Sequence, residues 1–437
     1  MIRNRYIAGV VAAALIAGCS GDDKSGGTTA EDGSLSVEAD ITADTTWTTG
    51  STYTLRKHIF VKDGATLTIQ PGVKVQGLLG SSLVVTSTGK IAAEGTATQP
   101  IVFTSAQPEG YRAAGDWGGV VLLGLAPINV SGGTNKIEGF PAGTTGTDYG
   151  GSAPTHNCGS IKYARIEFAG FQLAVDNELN GLTVGACGSD TVLDYIQVHK
   201  GADDGIEFFG GAADLKHAVI TQPDDDGLDW DYGWSGRVQF VVVQQNGLVG
   251  DRGIEADNNG SAPDATPRSK PTIYNLSLIG SNSEPGTAGK NQGGIHFRRG
   301  TAGQVYNAVV LGFTDKVIDV DGAPSVAQFT AGELFLKNSI IYDNVNITDA
   351  TTAWPDSDND SGFDETAQFF AAALSNEAVN PGLQDPYNLT APNFLPAAPL
   401  TGGATPPSDG FDATATFKGA FDATTDWTAG WTSFPAN

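Results

Sequence analysis

Acidic side chains recur in this chain at a near-constant step. Asp203-Asp204-Gly205-Ile206-Glu207, Asp225-Asp226-Gly227-Leu228-Asp229 and Asp251-Arg252-Gly253-Ile254-Glu255 begin 22 and 26 residues apart. Self-similarity of this period marks a solenoid, in which each repeat stacks on the next and lays equivalent residues above one another. Alternation along a strand turns Ile206, Leu228 and Ile254 inward and Glu207, Asp229 and Glu255 outward, with His296 in the equivalent place one coil on. Unit charges about 4.8 Å apart repel by roughly 3.5 kcal/mol at an effective dielectric of about 20, against roughly 0.9 kcal/mol in water. A shielded column therefore needs a counter-cation. Arg252, Arg298 and Arg299 are candidates, and so is calcium, which favours clustered carboxylate and carbonyl oxygens. Asp203, Asp204, Asp224, Asp225, Asp226 and Asp251 form a second acidic set just before the strands. From these, Asp203, Asp204, Asp225, Asp226 and Asp251, together with Asp229, are the candidate metal ligands. Asp-Gly is also an ordinary corner pair, so stacked turn acids holding no ligand are the competing account.

Aromatic residues flank the same segments. Phe208 and Trp230 alternate inward with Ile206 and Leu228, whereas Tyr232 and Trp234 are expected at the surface. Acids beside exposed rings suit a neutral glycan, whose C–H face packs on the ring. Glu207, Tyr232, Trp234, Glu255 and His296 are therefore the candidate ligand-binding set. Other chemistries find less support. The five histidines, His58, His156, His199, His217 and His296, lack close metal-ligand spacing. His217 matches Tyr195 and Phe240 in the repeat and reads as packing. There is no Gly-x-Ser-x-Gly elbow and no phosphate-cradling loop. Asp356-Ser357-Asp358-Asn359-Asp360 begins like a calcium loop but lacks Gly at the sixth place and Glu at the twelfth.

The elements that must position these residues are short β-branched runs separated by Gly, Asp and Asn. One set comprises 161–166, 192–198, 215–220, 238–243, 273–278, 305–310 and 336–341; a second set follows it at 181–184, the three acidic segments, 294–297 and 317–320. Two strand types in constant order mean that every coil turns the same corners, so the fold is all-β, a parallel β-helix over residues 35–344. Segments 258–271 and 281–292 read as loops inserted at a corner. Residues 345–437 form a C-terminal cap. Within it, 364–379 is a short amphipathic helix with Phe369, Phe370, Ala373 and Leu374 on one side, and the Pro- and aromatic-rich tail covers the last coil. A carbohydrate module built on Trp427 and Trp431 is the alternative for that tail, but the segment is short for a core of its own.

The stretches 65–75, 89–96, 100–104 and 116–124, with Arg165-Ile166-Glu167-Phe168-Ala169-Gly170 and the acidic repeats, resemble exported bacterial proteins of the pectin-lyase-like, right-handed single-stranded β-helix type. The resemblance runs from about residue 35 to the C-terminus and implies fold and surface location, without a settled activity. Pectate-lyase-like β-helices use calcium held by acids with an arginine base, and related hydrolases use paired acids. Carried onto this chain, that alternative places catalysis on Asp226, Asp229 and Arg252, with Asp203, Asp204, Asp225, Glu207 and Glu255 around them. Against it, the hydrolase pattern of acids, Gly-His-Gly and Arg-Ile-Lys on successive coils is missing. His296 in Gly294-Ile295-His296-Phe297 is its nearest echo.

Residues 1–18 read as an export signal: Arg3 and Arg5 precede a twelve-residue apolar stretch, Ile7 to Gly18, too short to span a bilayer. Leu15-Ile16-Ala17-Gly18-Cys19 resembles a bacterial lipobox, which implies cleavage before Cys19 and its acylation. Ser20, where Asp would signal inner-membrane retention, points by that analogy to the outer membrane. Residues 19–34 then form a flexible tether. Cys158 and Cys187, 29 residues apart, are expected to form a disulfide between adjacent coils. The formal charge is −25; losing residues 1–18 removes two Arg and no acid, leaving −27. Such a body repels nucleic acid and anionic head-groups, and it disfavours a polyuronate substrate. The expected function is a lipid-anchored outer-membrane surface protein, a calcium-stabilised, non-catalytic binding or scaffold β-helix. Its partner would be a neutral glycan or an outer-membrane transporter; polysaccharide lyase or glycoside hydrolase activity is the alternative.

Overall fold

The computed structural model describes residues 33–174, 177–282, 292–343 and 362–437. Cys19 and the 356–360 acidic run lie outside the described residues. The chain winds as a right-handed parallel β-helix. One wall is a fifteen-stranded sheet, and another is a nine-stranded sheet ordered from Ile318–Val320 back to His58–Val61. Pairing is parallel throughout both. The β-branched runs direct alternate side chains to the axis, so Ile206, Leu228, Ile254 and Ile295 stack at 0–1 % exposure within one core running from Ile41 to Leu374. Among the described residues no helix is long and apolar enough to cross a membrane.

A corner divides each long strand of the fifteen-stranded sheet. Its register steps from Lys162↔Asp194 to Ala164↔Ile196, omitting the residue between. That residue is left-handed in every coil: Tyr163, Tyr195, His217, Phe240, Asn275 and Asn307 have φ between 47° and 61°. Asn tolerates this region; rings do so at a cost. Here the cost is offset by stacking, with ring centroids 4.2 Å apart for Tyr163–Tyr195, 4.1 Å for Tyr195–His217 and 4.9 Å for His217–Phe240. His217 is thus a corner-packing residue that also pairs with Asp194 at 2.8 Å. Cys158 and Cys187 are fully buried and joined by the expected disulfide.

The end of the coil is closed by α1 (Gly322–Thr330) and α2 (Glu365–Phe369), where Phe329 meets Phe363 and Phe369 edge-on. The helix expected over 364–379 is shorter than its apolar pattern suggested, and Ala373 is exposed. The chain turns away because Asn376 bonds the edge of the last coil: its amide donates to Leu336 O and Phe369 O and accepts from Ser339 N.

The tail beyond Leu383 does not cross that end. It lies along the outer face of the fifteen-stranded sheet, held by outward side-chain amides. Asn307 accepts from Ala404 N, Gln239 from Asp412 N and Gln197 from Ser433 N, while Asn275 donates to Ala415 O and Phe417 O. Its last residue reaches Gly110 N. Trp431 is 1 % exposed, and Trp427 stacks on Phe421, so both rings anchor the strap and neither belongs to a separate module.

Candidate cation site on the acidic face

The acidic segments supply the outer surface of the nine-stranded sheet, and their glycines fix how closely the coils meet. A Cβ on Gly205 would lie 2.3 Å from Ile220 Cγ2 and 2.6 Å from Gly227 O; on Gly227 it would meet Val243 Cγ1 at 2.4 Å and Gly253 O at 2.6 Å. Glycine is needed here for close approach of the corner to the next coil, which is a stricter demand than turn preference.

Register then builds a grid. Thr183, Glu207, Asp229, Glu255, His296 and Asp319 occupy one outward row on six successive coils. Asp204 and Asp226 begin the row before it, where each staples its neighbour: Asp204 Oδ1 accepts from Asp226 N at 2.9 Å, and Asp226 Oδ1 accepts from Arg252 N at 2.6 Å. Sequence reasoning missed Asn180, Lys316 and Asp319. The signal was present, since Asn180-Gly181-Leu182-Thr183 and Lys316-Val317-Ile318-Asp319 fill the repeat's offsets with other residue types.

The grid divides into two halves. In the C-terminal coils each acid meets a base. Glu255 pairs with Arg298, Asp257 with Arg298 and Arg299 at 2.8 and 2.7 Å, and Asp319 with Lys316 at 2.6 Å. His296 lies 3.7 Å from Glu255 and 3.5 Å from Asp319. Burial alone would raise Glu255, but the neighbouring His296 imidazole and the Arg298 charge bring its carboxyl below the usual range. Burial likewise opposes the imidazolium of His296, yet the carboxylates of Asp321, Glu255 and Asp319 around it hold it above the ordinary histidine value.

The preceding coils lack such pairing. Asp204, Asp226, Asp229 and Glu207 form no ion pair among the described residues. Asn180 donates to Glu207 at 2.6 Å, and Asp229 Oδ1 is buried without a hydrogen-bond partner. Burial first, and the neighbouring carboxylates second, push all four carboxyls well above their ordinary values. Oxygen atoms from Asp204, Asp226 and Asp229 lie within 4.8 Å of one another, as do those of Asp203–Asp204–Asp225 and of Asp225–Asp226–Asp251. All six residues singled out as metal ligands are therefore brought together, in three overlapping sets. An all-carboxylate donor set with an orphaned buried oxygen fits a hard cation such as calcium.

The aromatic reading needs correction. Trp234 is fully buried, stacked on Phe208 at 4.1 Å inside the coil with its Nε1–H donated to Ala213 O. It turns inward because the chain leaves the strand at Asp231, ending the alternation that would have exposed it. Tyr232 is half-buried and packs toward Phe209. Glu207, Glu255 and His296 face outward from the coil yet are only 7–9 % exposed. Segment 125–153 folds over this sheet and makes a second core through Ile128, Ile137, Phe140 and Tyr149. Buried Asn129 ties it to the 258–270 loop by donating to Asn258 Oδ1 at 2.9 Å. A cavity of about 220 Å³ lies on the other wall, and one of about 390 Å³ lies at the far end of this sheet, between His58 and Phe60 and residues 143–145.

A parallel β-helix with a buried, stacked carboxylate grid on one wall is the class of protein defined here. The chain belongs to the pectate-lyase-like beta helix domain family, whose match covers residues 39–432. Neither a curated protein nor a solved structure matches it.

Proposed function

We propose that this protein is an exported β-helix, anchored at the outer membrane through lipidated Cys19, that works as a non-catalytic binding or scaffold surface stabilised by calcium. The observation that carries the calcium reading is the Asp204–Asp226–Asp229 triad, two of its members buried and Asp229 half-buried, with three carboxylates in mutual reach and no base paired to them among the described residues. Bound calcium would add positive charge beyond that of Arg252, which pairs with Asp251 at 2.9 Å, Asp204, Asp226 and Asp229 holding the ion with Asp203, Asp225 and Asp251 alongside. The covered state of the face favours a structural ion over a substrate-handling one. Partner chemistry follows from charge: a neutral glycan or an outer-membrane transporter suits a body of this acidity better than a polyanion.

Calcium titration tests this reading. Melting temperature rises with millimolar calcium, and Asp226→Asn combined with Asp229→Asn abolishes the rise; an unchanged wild-type melting point refutes it. Membrane-fraction recovery that survives Cys19→Ala would refute the anchor.

One observation favours the second reading, a polysaccharide lyase or glycoside hydrolase. Asp229 is held toward its neutral form while Glu255, one coil on, is held ionised, the separation of roles that acid–base catalysis uses. New reducing ends or unsaturated products from a glycan panel, lost in Asp226→Asn, would establish it in place of the non-catalytic reading.

A further inference from the structure

A cavity of about 220 Å³ lies between three successive coils and the C-terminal strap, on the wall that carries no acidic grid. Its floor is formed by equivalent positions of strands 192–199, 214–221 and 237–244, and Gly410 and Phe411 of the strap close one side. Two charged side chains face each other across one coil step here. Asp194 and Lys216 are register partners, about 4.8 Å apart as neighbouring strands are, yet they form no ion pair with one another. Asp194 gives one carboxylate oxygen to His217 Nδ1 at 2.8 Å. The Lys216 ammonium lies 5.7 Å over the Phe240 ring and makes no hydrogen bond or ion pair among the described residues. Val192 lines the same cavity at 40 % exposure, and the Phe411 ring is half-buried, its position fixed by an edge contact with Tyr274 at 5.0 Å.

We propose that this cavity is a binding site for a single neutral pyranose ring, either free or at the end of a glycan. A hydroxyl group both donates and accepts, so two adjacent hydroxyls satisfy a carboxylate and an ammonium one coil apart at the same time. Phe411 and Val192 provide the apolar surface that the C–H face of a sugar covers. A purely anionic ligand meets Asp194, Asp214 and Asp409; a purely cationic one meets Lys216 and Arg237. Size agrees, since the cavity falls below the roughly 300 Å³ at which sites for drug-sized ligands begin. The Asp214–Arg237 pair, with bonds of 2.6 to 3.2 Å, is saturated internally and serves as a rigid wall. The strap therefore has a role beyond covering a sheet: it completes the site.

Isothermal titration of the full folded chain with methyl glucoside, galactoside, mannoside and xyloside and with N-acetylglucosamine tests the assignment. Glycine and alanine are included as zwitterions that carry the same pair of charges. Saturable binding of at least one pyranoside is expected. Lys216→Ala and Phe411→Ala should each weaken it by about tenfold or more, the loss of one polar or one stacking contact. Leu79→Ser, at an exposed turn, should leave it unchanged. Melting curves matching wild type show that the variants fold. No saturable heat with any pyranoside, an unchanged isotherm in Lys216→Ala, or saturation by the amino acids alone would overturn the proposal. The calcium reading concerns the other wall and stands or falls separately.

Discussion

Outward positions on the fifteen-stranded sheet include Gln197, Gln239, Asn275 and Asn307, and each finds the backbone of the C-terminal strap. Outward positions on the nine-stranded sheet include Asp204, Glu207, Asp226 and Asp229, and these find one another. Apart from half-buried Asp229, both sets are nearly as buried as a core. Amides are neutral and carry donors and acceptors together, so a covering peptide satisfies them, each bond contributing about 1 kcal/mol. Carboxylates only accept, and stacking them raises the cost of every added charge. One wall is therefore satisfied within the chain, whereas on the other Asp204, Glu207, Asp226 and Asp229 meet no base among the described residues.

The largest test breaks the finished wall. Trp431→Ala removes a ring that packs edge-on to Tyr163 and Tyr195 and whose Nε1–H bonds Trp427 O. A loss of about 3–5 kcal/mol is expected in urea unfolding, as for other buried large-to-small changes. A loss under about 1 kcal/mol would show that the strap is only loosely attached.

Next comes pH, because the two walls should respond with opposite sign. His199 is buried under the strap, with its Nε2 bonded to Pro435 O, and burial lowers it to about 4. Its neutral form is the folded form, so its contribution is complete above the unfolded value near 6.5 and disappears as pH falls through about 4. The magnitude is on the order of 3 kcal/mol. The carboxyls of Asp204, Glu207, Asp226 and Asp229 are raised, so their folded form is the protonated one. Their contribution is complete below the ordinary carboxylate range and declines as pH rises through the raised values. In chelator, stability should therefore fall on both sides of a mildly acidic maximum, and His199→Gln should flatten only the acid limb. Loss of the alkaline limb in that variant would contradict the assignment.

Calcium sharpens the contrast further. At a hundredfold excess over its dissociation constant an ion that binds only the folded chain adds about 2.7 kcal/mol, and it should abolish the alkaline decline while leaving the acid limb in place. Differential scanning calorimetry at pH 8 with calcium and with chelator reads this directly. The smallest effect is Glu207→Gln. It retains the contact with Asn180 and replaces a carboxyl that ionises more readily in the unfolded chain by a neutral amide, so without calcium, above the ordinary carboxylate range, it should raise stability by up to about 1 kcal/mol. A destabilisation of that size would mean Glu207 is needed ionised.

Much of this was legible in one dimension. The steps between Asp204, Asp226 and Arg252, and the alternation around Ile206, Leu228 and Ile254, specify a coil length, an inner face and a stack, because register in a parallel sheet follows from period alone. The disulfide followed from the spacing of Cys158 and Cys187. The position of Trp234 was not legible, since alternation ends with the strand and only the fold shows where the chain turns next. Nor was the strap: Gln197, Asn275 and Asn307 look like ordinary solvent-facing polar residues until a peptide 97 to 236 residues away lies across them.

The amino-acid order by itself set the repeat, its direction and the row on which each acid stands, since those are local consequences of side-chain period. Tertiary structure decided which rows are covered, which acids meet a base, and that the tail runs along the side instead of across the end. Burial and charge pairing depend on what arrives from elsewhere in the chain, and no local pattern encodes that arrival.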